Sequence, residues 1–515
     1  MNLPGEVLDA SKGECVDLEE DFQDDLDGFS DAESDMDDYF LPVDYELEVD
    51  STFPLSAARK DSQQYQYSKL QQETQFRLLV LKAGGGGADR PIECELRIES
   101  LEDEACPQFE ALSYTWGERN DLFKIWVEGK FIRVTGNLRD ALQNLRHDHQ
   151  DRVLWVDAVC INQSAELEGR SDGEELDEKT MQVRQMGSIY EKASSVLIWL
   201  GLTRSEDDQL SDGHLQEDHF SRFLDTRWAQ KNQMEYWELR WANWPHERNE
   251  VRESLQNLLR HDWFDRVWIV QEVARSQSAF IHRGKQCVPA GIFAQLPQLL
   301  GVEPEPHCQQ ILNIMPRIRD VDVSQSRDCD TSRVWVPRQL RDLLHDFQES
   351  KSSREEDKIY ALLGLSIEQG RANGALAIDY SKTEKQVVHD TIDILYPGLL
   401  QRKSPNWTLA EFWRQLDTLE SALLTWAVVR DYDTVVGRLL ETAGTTASSP
   451  ITDMQLRAEY FSALERGRAK VLKILLETGR VDVNSRNDEG HTPLDIASNG
   501  RSNRANDTIR ALLRA

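Results

Sequence analysis

The stretch LWVDAVCINQ, residues 154–163, sets one acid and a polar cluster against apolar runs. Asp157 follows Leu154, Trp155 and Val156, and Cys160, Asn162 and Gln163 close the stretch. A second polar cluster, Ser113, Tyr114, Thr115 and Trp116, ends the run FEALSYTWG. Glu178 heads EKTMQVRQMGSIYEKA, whose apolar residues have near-helical spacing. In open α/β sheets, ligands sit outside the carboxyl ends of the strands. Polar residues gathered at such ends are therefore the rim of a candidate crevice. Trp116 offers a face for stacking a ring, and Asn162 or Gln163 offers hydrogen bonds to a sugar or an amide. A single carboxylate beside such a crevice can stabilise positive charge that develops there.

Each of these residues also has a plainer reading. Glu178 at a helix start complements the helix dipole. Asp157 can fix the crevice loops by accepting from backbone amides. Cys160 fits as a small core residue, with no His near it in sequence to activate it. Trp116 suits a core as well as a ligand platform. Trp263, Phe264, Trp268 and Gln271 are expected to pack the core, and Arg266 is a candidate partner for Asp157 or for a phosphate.

Other chemistries are disfavoured. The seven cysteines, at 15, 94, 106, 160, 287, 308 and 329, contain no CxxC pair, so a zinc site is not expected. The odd, unpatterned count fits a reducing compartment. No Walker or GxGxxG pattern occurs, and Gly84–Gly87 read as a flexible hairpin rather than a phosphate loop.

The elements that must position the rim alternate. FRLLVL, FEALSYTWG, the LWVDAVCINQ stretch and SSVLIWLG read as strands, and FKIWVEGKFIRVT as a hairpin around Glu128-Gly129. Between them NLRDALQNLR has Leu138, Ala141, Leu142 and Leu145 on one helical face, with Asn137 as N-cap. Residues 178–193 form another helix after an acidic loop at 164–177. This alternation predicts an α/β fold with a mostly parallel sheet flanked by helices. Residues 203–250 are a polar insertion holding Trp228, Trp237, Trp241 and Trp244. Downstream, residues 253–274 read as helical pieces, SQSAFIHRGKQCVPA as a strand, and EEDKIYALLGL and KTEKQVVHDTIDIL as helices.

The chain of 515 residues carries a formal charge of −32, from 91 Asp and Glu against 59 Lys and Arg. That balance disfavours nucleic-acid or anionic-membrane binding. EEDFQDDLDGFSDAESDMDD places residues 1–60 as a disordered acidic arm, a solubilising tail or a docking arm with Phe22, Phe29 and Tyr39 as anchors. The longest apolar stretch, VLIWLGL, is too short to span a bilayer, and the N-terminus lacks signal-peptide character, so a soluble, cytoplasmic protein is expected. At the other end, VVGRLLETAG, VLKILLETGR and TIRALLRA form a weak repeat, with DEGHTPLDIASNG between the last two. Its period and TPL run resemble ankyrin repeats, against the alternative of an unrelated helical tail.

Together FEALSYTWG, VTGNLRDALQNLR, LWVDAVCINQ, EKTMQVRQMGSIYEKASSVLIWLG and WFDRVWIVQEVA resemble the heterokaryon incompatibility (HET) domain of filamentous fungi. DKIYALLGL and IDYSKTEKQVVHD resemble its downstream extension, so the resemblance covers about residues 65–395. The 163–178 loop and the Trp-rich insertion depart from that pattern. The resemblance implies a core at 61–285, a helical extension at 286–400 and an ankyrin-like region at 401–515. It implies an effector of fungal allorecognition and cell death. It further implies a remote likeness to TIR domains, of flavodoxin-like fold, some of which hydrolyse NAD at one glutamate. On that likeness FEALSYTWG stands for the first TIR strand and LWVDAVCINQ for the third. Glu178 then takes the catalytic place, with Ser113, Tyr114, Trp116, Asp157, Asn162 and Gln163 around NAD as substrate. No bound cofactor or metal is implied. The alternative is a non-enzymatic scaffold that self-associates through the HET domain and binds protein partners through its repeats.

Overall fold

In the computed structural model of the protein, the described residues are 63–85, 90–117, 122–162, 173–202, 245–316, 336–369, 378–401, 403–443, 451–499, 509–510 and 513. The acidic arm, Gln163 and the four tryptophans of the insertion lie outside them.

Nine strands form one sheet in the order β5-β4-β2-β1-β6-β3-β7-β8-β9. They are β1 Gln75–Leu81, β2 Glu93–Ser100, β3 Glu110–Tyr114, β4 Leu122–Val127, β5 Lys130–Thr135, β6 Arg152–Trp155, β7 Ser195–Trp199, β8 Ala279–Arg283 and β9 Gln286–Pro289. The sheet is mixed rather than mostly parallel. β2–β4, β3–β6, β3–β7 and β7–β8 run parallel, while β1–β2, β1–β6, β4–β5 and β8–β9 run antiparallel. The reason lies in the connections. Short turns can join only antiparallel strands, and the chain places hairpins on both sides of a parallel centre. In β4–β5 the turn residues Glu128 and Gly129 both have positive φ, 52° and 80°, the twist-matched geometry that glycine favours.

The parallel centre reads β6-β3-β7-β8. Numbered along the chain its strands follow the order 2-1-3-4, a doubly wound arrangement whose direction reverses beside β3. β6 is thus the second strand of the parallel series, not the third.

Helix α1, Gly136–Leu145, buries Leu138, Ala141, Leu142 and Leu145 as its spacing requires. Its N-cap is Thr135, whose side chain accepts from the Leu138 amide; Asn137 already lies inside the helix. The 157–160 segment is not strand but the one-turn helix α2, Asp157–Cys160. Helix α3 runs Gly173–Lys192, so Glu178 sits in its second turn rather than at its start. Helix α4 is Pro245–Leu259, followed by the 3-10 turn Asp262–Asp265 and helix α5, Ile269–Ala274. Every residue of α5 is buried.

Beyond the sheet lie α6 Ala290–Phe293, α7 Leu296–Leu300, α8 Pro306–Ile314, α9 Leu340–Asp346, α10 Asp357–Leu363 and α11 Glu384–Leu395. The C-terminal region is helical: α12 Leu409–Gln415, α13 Leu419–Arg430, α14 Asp433–Ala443, α15 Asp453–Glu465, α16 Ala469–Glu477 and α17 Pro493–Asn499. Here α13 packs on α14 and α15, and α16 on α14 and α15, so successive helix pairs stack. Ser421 bonds Gln455, and Thr425 donates to Glu459 Oε1 at 2.5 Å; each pair is 34 residues apart. Thr492 and Asp495 cap α17 reciprocally within the TPL run. One continuous apolar core extends from Phe76 in β1 to Ile509.

Candidate functional site

The carboxyl end of β3 lies between β6 and β7, and four consecutive residues there are each held by a different neighbour. Ser113 accepts from Trp263 Nε1 at 2.8 Å and donates to the Glu272 carboxylate. The Tyr114 carbonyl accepts from Arg266. The Thr115 carbonyl accepts from Asn137 Nδ2 at 2.6 Å, and Asn137 Oδ1 in turn accepts from Trp199 Nε1 at 3.0 Å. Trp116 Nε1 donates to Asp157 Oδ2 at 2.8 Å. The run then turns at Gly117, where φ is +75° and an added Cβ would lie 3.3 Å from Asn137 Cβ. The rim of the doubly wound centre is therefore a fixed surface, built by α1, α2, the 3-10 turn and α5.

Two acids lie in this network under different conditions. Asp157 is half-buried at the first turn of α2; Oδ1 accepts from the Ala158 amide at 2.7 Å, and Oδ2 from Trp116. Glu272 is fully enclosed, at 2% exposure. Burial pushes its carboxyl up to about 7; the Arg266 guanidinium and the Ser113 hydroxyl oppose that rise, and the Asp157 charge adds to it. Burial also holds the Tyr114 hydroxyl well above its ordinary range, reinforced by the neighbouring Asp157 carboxylate. The arrangement pairs an acid bonded by N–H groups with one that holds a proton near neutrality.

Glu178 lies outside this network. Both of its oxygens accept from Arg77, Oε1 from Nη1 at 2.7 Å and Oε2 from Nη2 at 3.1 Å. Arg77 is a β1 residue, 1% exposed, and it also donates to the carbonyls of Cys160, at 3.1 Å, and Ser68, at 2.6 Å. Its guanidinium lies 5.1 Å from the centre of the Tyr67 ring, and the Tyr67 hydroxyl donates to Val159 at 3.0 Å. The Asn162 amide reaches Glu178 Oε1 at 3.4 Å. Glu178 thus ties α3 to β1 and to the end of α2. Cys160 is fully buried and its thiol is pushed up to about 12 by burial, with its sulfur accepting from the Val156 amide at 3.3 Å. A thiol so placed is a core group rather than a nucleophile.

The structure brings Ser113, Tyr114, Trp116 and Asp157 together. It sets Asn162 and Glu178 beside one another on the Arg77 side, and Gln163 is outside the described residues. Sequence reasoning missed Glu272 and Arg77. Each is a lone charge in an apolar run, WIVQEVA and QFRLLVL. A charge in a run that must be buried requires a partner, and that was the available signal. Arg266 binds the Tyr114 carbonyl, with Glu272 within its electrostatic reach. Among the described residues no group of three or more His, Cys, Asp or Glu is arranged to hold a metal ion, and no helix is long and apolar enough to cross a membrane.

The family model described as Heterokaryon incompatibility protein (HET) matches residues 109–272. Heterokaryon incompatibility protein 6, OR allele, of Neurospora crassa is 27% identical over 196 residues, covering 32% of this chain and 27% of that protein. The chain therefore aligns with about a quarter of that relative's length. No solved structure matches.

Proposed function

We propose that this chain is an effector of fungal heterokaryon incompatibility, acting in the cytoplasm through a TIR-like HET domain and coupled to protein partners by C-terminal ankyrin-like repeats. One observation carries the reading. The family match begins at Phe109, directly before β3, and ends at Glu272, so it encloses the whole rim network of Ser113, Tyr114, Trp116, Asp157, Trp263 and Glu272. The 2-1-3-4 order of the parallel centre supports the flavodoxin-like assignment, and the 34-residue register of α13 and α15 supports the repeats.

Two mechanisms remain distinct. NAD hydrolysis at Glu178, with the rim residues around the substrate, is supported by the half-buried Trp116 and Asp157 at the carboxyl ends of β3 and β6. A non-enzymatic scaffold, assembling through the HET domain, is supported by the two-pronged Arg77–Glu178 pair, which commits both carboxylate oxygens to a structural partner. The second mechanism fits Glu178 better.

The experiment is overexpression in a filamentous fungal host of wild type, Glu178→Gln and Asp157→Asn, reading growth arrest, cellular NAD and protein level. Growth arrest by the wild type supports the effector reading; a wild type that accumulates without arresting growth overturns it. If Glu178 is a clamp, Glu178→Gln lowers the melting temperature and NAD stays unchanged throughout. Falling NAD that Glu178→Gln abolishes at equal protein level and unchanged melting temperature restores the catalytic mechanism.

A further inference from the structure

We propose that the C-terminal helical stack is latched to the β3 rim through α5, so that loosening the stack loosens Ser113–Trp116. The latch begins at Glu420 in α13, which is 6% exposed. Its Oε2 accepts from Arg341 Nη2 of α9 at 2.8 Å, and its Oε1 accepts from Arg341 Nη1 and from the Tyr396 hydroxyl, the latter at 2.5 Å. Arg341 Nη1 also donates to the Tyr396 oxygen at 3.0 Å, which closes the triad. A fork-to-fork Arg–carboxylate pair fixes orientation as well as distance, so α13 and α9 move together.

Helix α9 packs on α10, burying Leu340, Leu343 and Leu344. Helix α10 then meets α5 through Gln271. Gln271 Nε2 donates to the Ala361 carbonyl at 2.6 Å, and a Cβ on Gly364 would lie 2.4 Å from that nitrogen. Arg275, just after α5, donates to the Gly364 carbonyl and to Glu191 Oε2 of α3, the latter at 2.9 Å. The side chains of Gln271 and Arg275 are packed closely against Gly364 at this joint. On one short helix, Gln271 faces α10 and the next residue, Glu272, faces β3; successive helical residues differ in direction by about 100°. A six-residue helix buried on every side cannot shift its Gln271 face without shifting its Glu272 face. Close-packed interiors transmit such displacements. The coupling is independent of whether the rim catalyses a reaction.

The test is hydrogen exchange on the full chain, wild type beside Glu420→Gln. Glutamine keeps the shape and weakens the bond to Arg341. Exchange over residues 110–116 should quicken at least about five-fold, with residues 75–81 in β1 unchanged. Quickening confined to residues 336–346 and 384–430 would overturn the latch. So would uniform quickening that includes β1, which would report global unfolding alone. If Glu420→Gln does not accumulate, Tyr396→Phe removes a single hydroxyl from the same triad and is read by the same criteria.

Discussion

Glu272→Gln should remove a pH dependence from the stability of this protein. The Glu272 carboxyl has an ordinary value of 4.5 and is pushed up to about 7 in the fold, by burial against the opposing pull of Arg266 and Ser113. Between those values the folded state keeps a proton that the unfolded chain has released. Stability therefore falls as pH rises from 4.5 to about 7 and is flat above that window. At about 1.4 kcal/mol per pH unit, a rise from 4.5 to about 7 corresponds to a full loss of roughly 3–4 kcal/mol, about 3 of it above pH 4.5, where the unfolded group is already half ionised. Ser113 donates to this carboxyl, Arg266 and Asp157 act on it electrostatically, Trp263 bonds the same Ser113 hydroxyl, and the Tyr114 and Tyr190 hydroxyls are within its electrostatic reach. Glutamine retains an oxygen to accept from Ser113 and cannot ionise. Its extra N–H adds an offset that does not vary with pH. Urea unfolding at intervals from pH 4.5 to 8 should then give a mutant-minus-wild-type difference that grows by about 3 kcal/mol and levels off near pH 7. A difference constant within about 0.5 kcal/mol across that range would refute the account, because it would mean that Glu272 is ionised like an exposed carboxylate.

Arg77→Met should leave the Glu178 carboxylate enclosed without its cation and cost about 3–5 kcal/mol, read by thermal or urea unfolding, whereas the double change Arg77→Met with Glu178→Leu should recover most of that loss. Gly117→Ala should cost about 1–2 kcal/mol, since φ there is +75° and Asn137 crowds the new Cβ; an unchanged unfolding midpoint would show that the turn relaxes freely.

Local pattern made much of the fold legible. Four residues of NLRDALQNLR share a face by spacing, and all four are buried in α1. Glu128-Gly129 announced the β4–β5 hairpin because that turn needs positive φ. The errors came where two local signals competed. Asn137 and Thr135 both suit an N-cap, and Thr135 holds it because Asn137 is drawn to Thr115 and Trp199. Asp157 looked like an acid within a strand, but the strand ends at Trp155 and Asp157 enters a helical turn, accepting from the next amide. Glu178 looked like a helix start because the acidic residues before it have no apolar period, yet residues 173–177 are helical. The grouping of the candidate residues was half legible. Ser113, Tyr114 and Trp116 declared themselves by ending an apolar run. Their partners lie far along the chain: Glu272 is 159 residues from Ser113, and Arg77 is 101 from Glu178. No local pattern carries such pairings.

Glu178 and Glu272 differ in how their charges are met. Glu178 gains a matching cation, held by two bonds from Arg77. Glu272 receives a hydroxyl and the field of Arg266, which are insufficient, and its carboxyl stays raised to about 7. A glutamine could accept the same Ser113 hydrogen bond without that penalty. Perturbed carboxyl groups gather at functional sites, and structural networks perturb them too, so Glu272 needs a direct test. On the proposed effector reading, Glu272 behind the Asp157 rim is an acid to test beside the Arg77-bound Glu178.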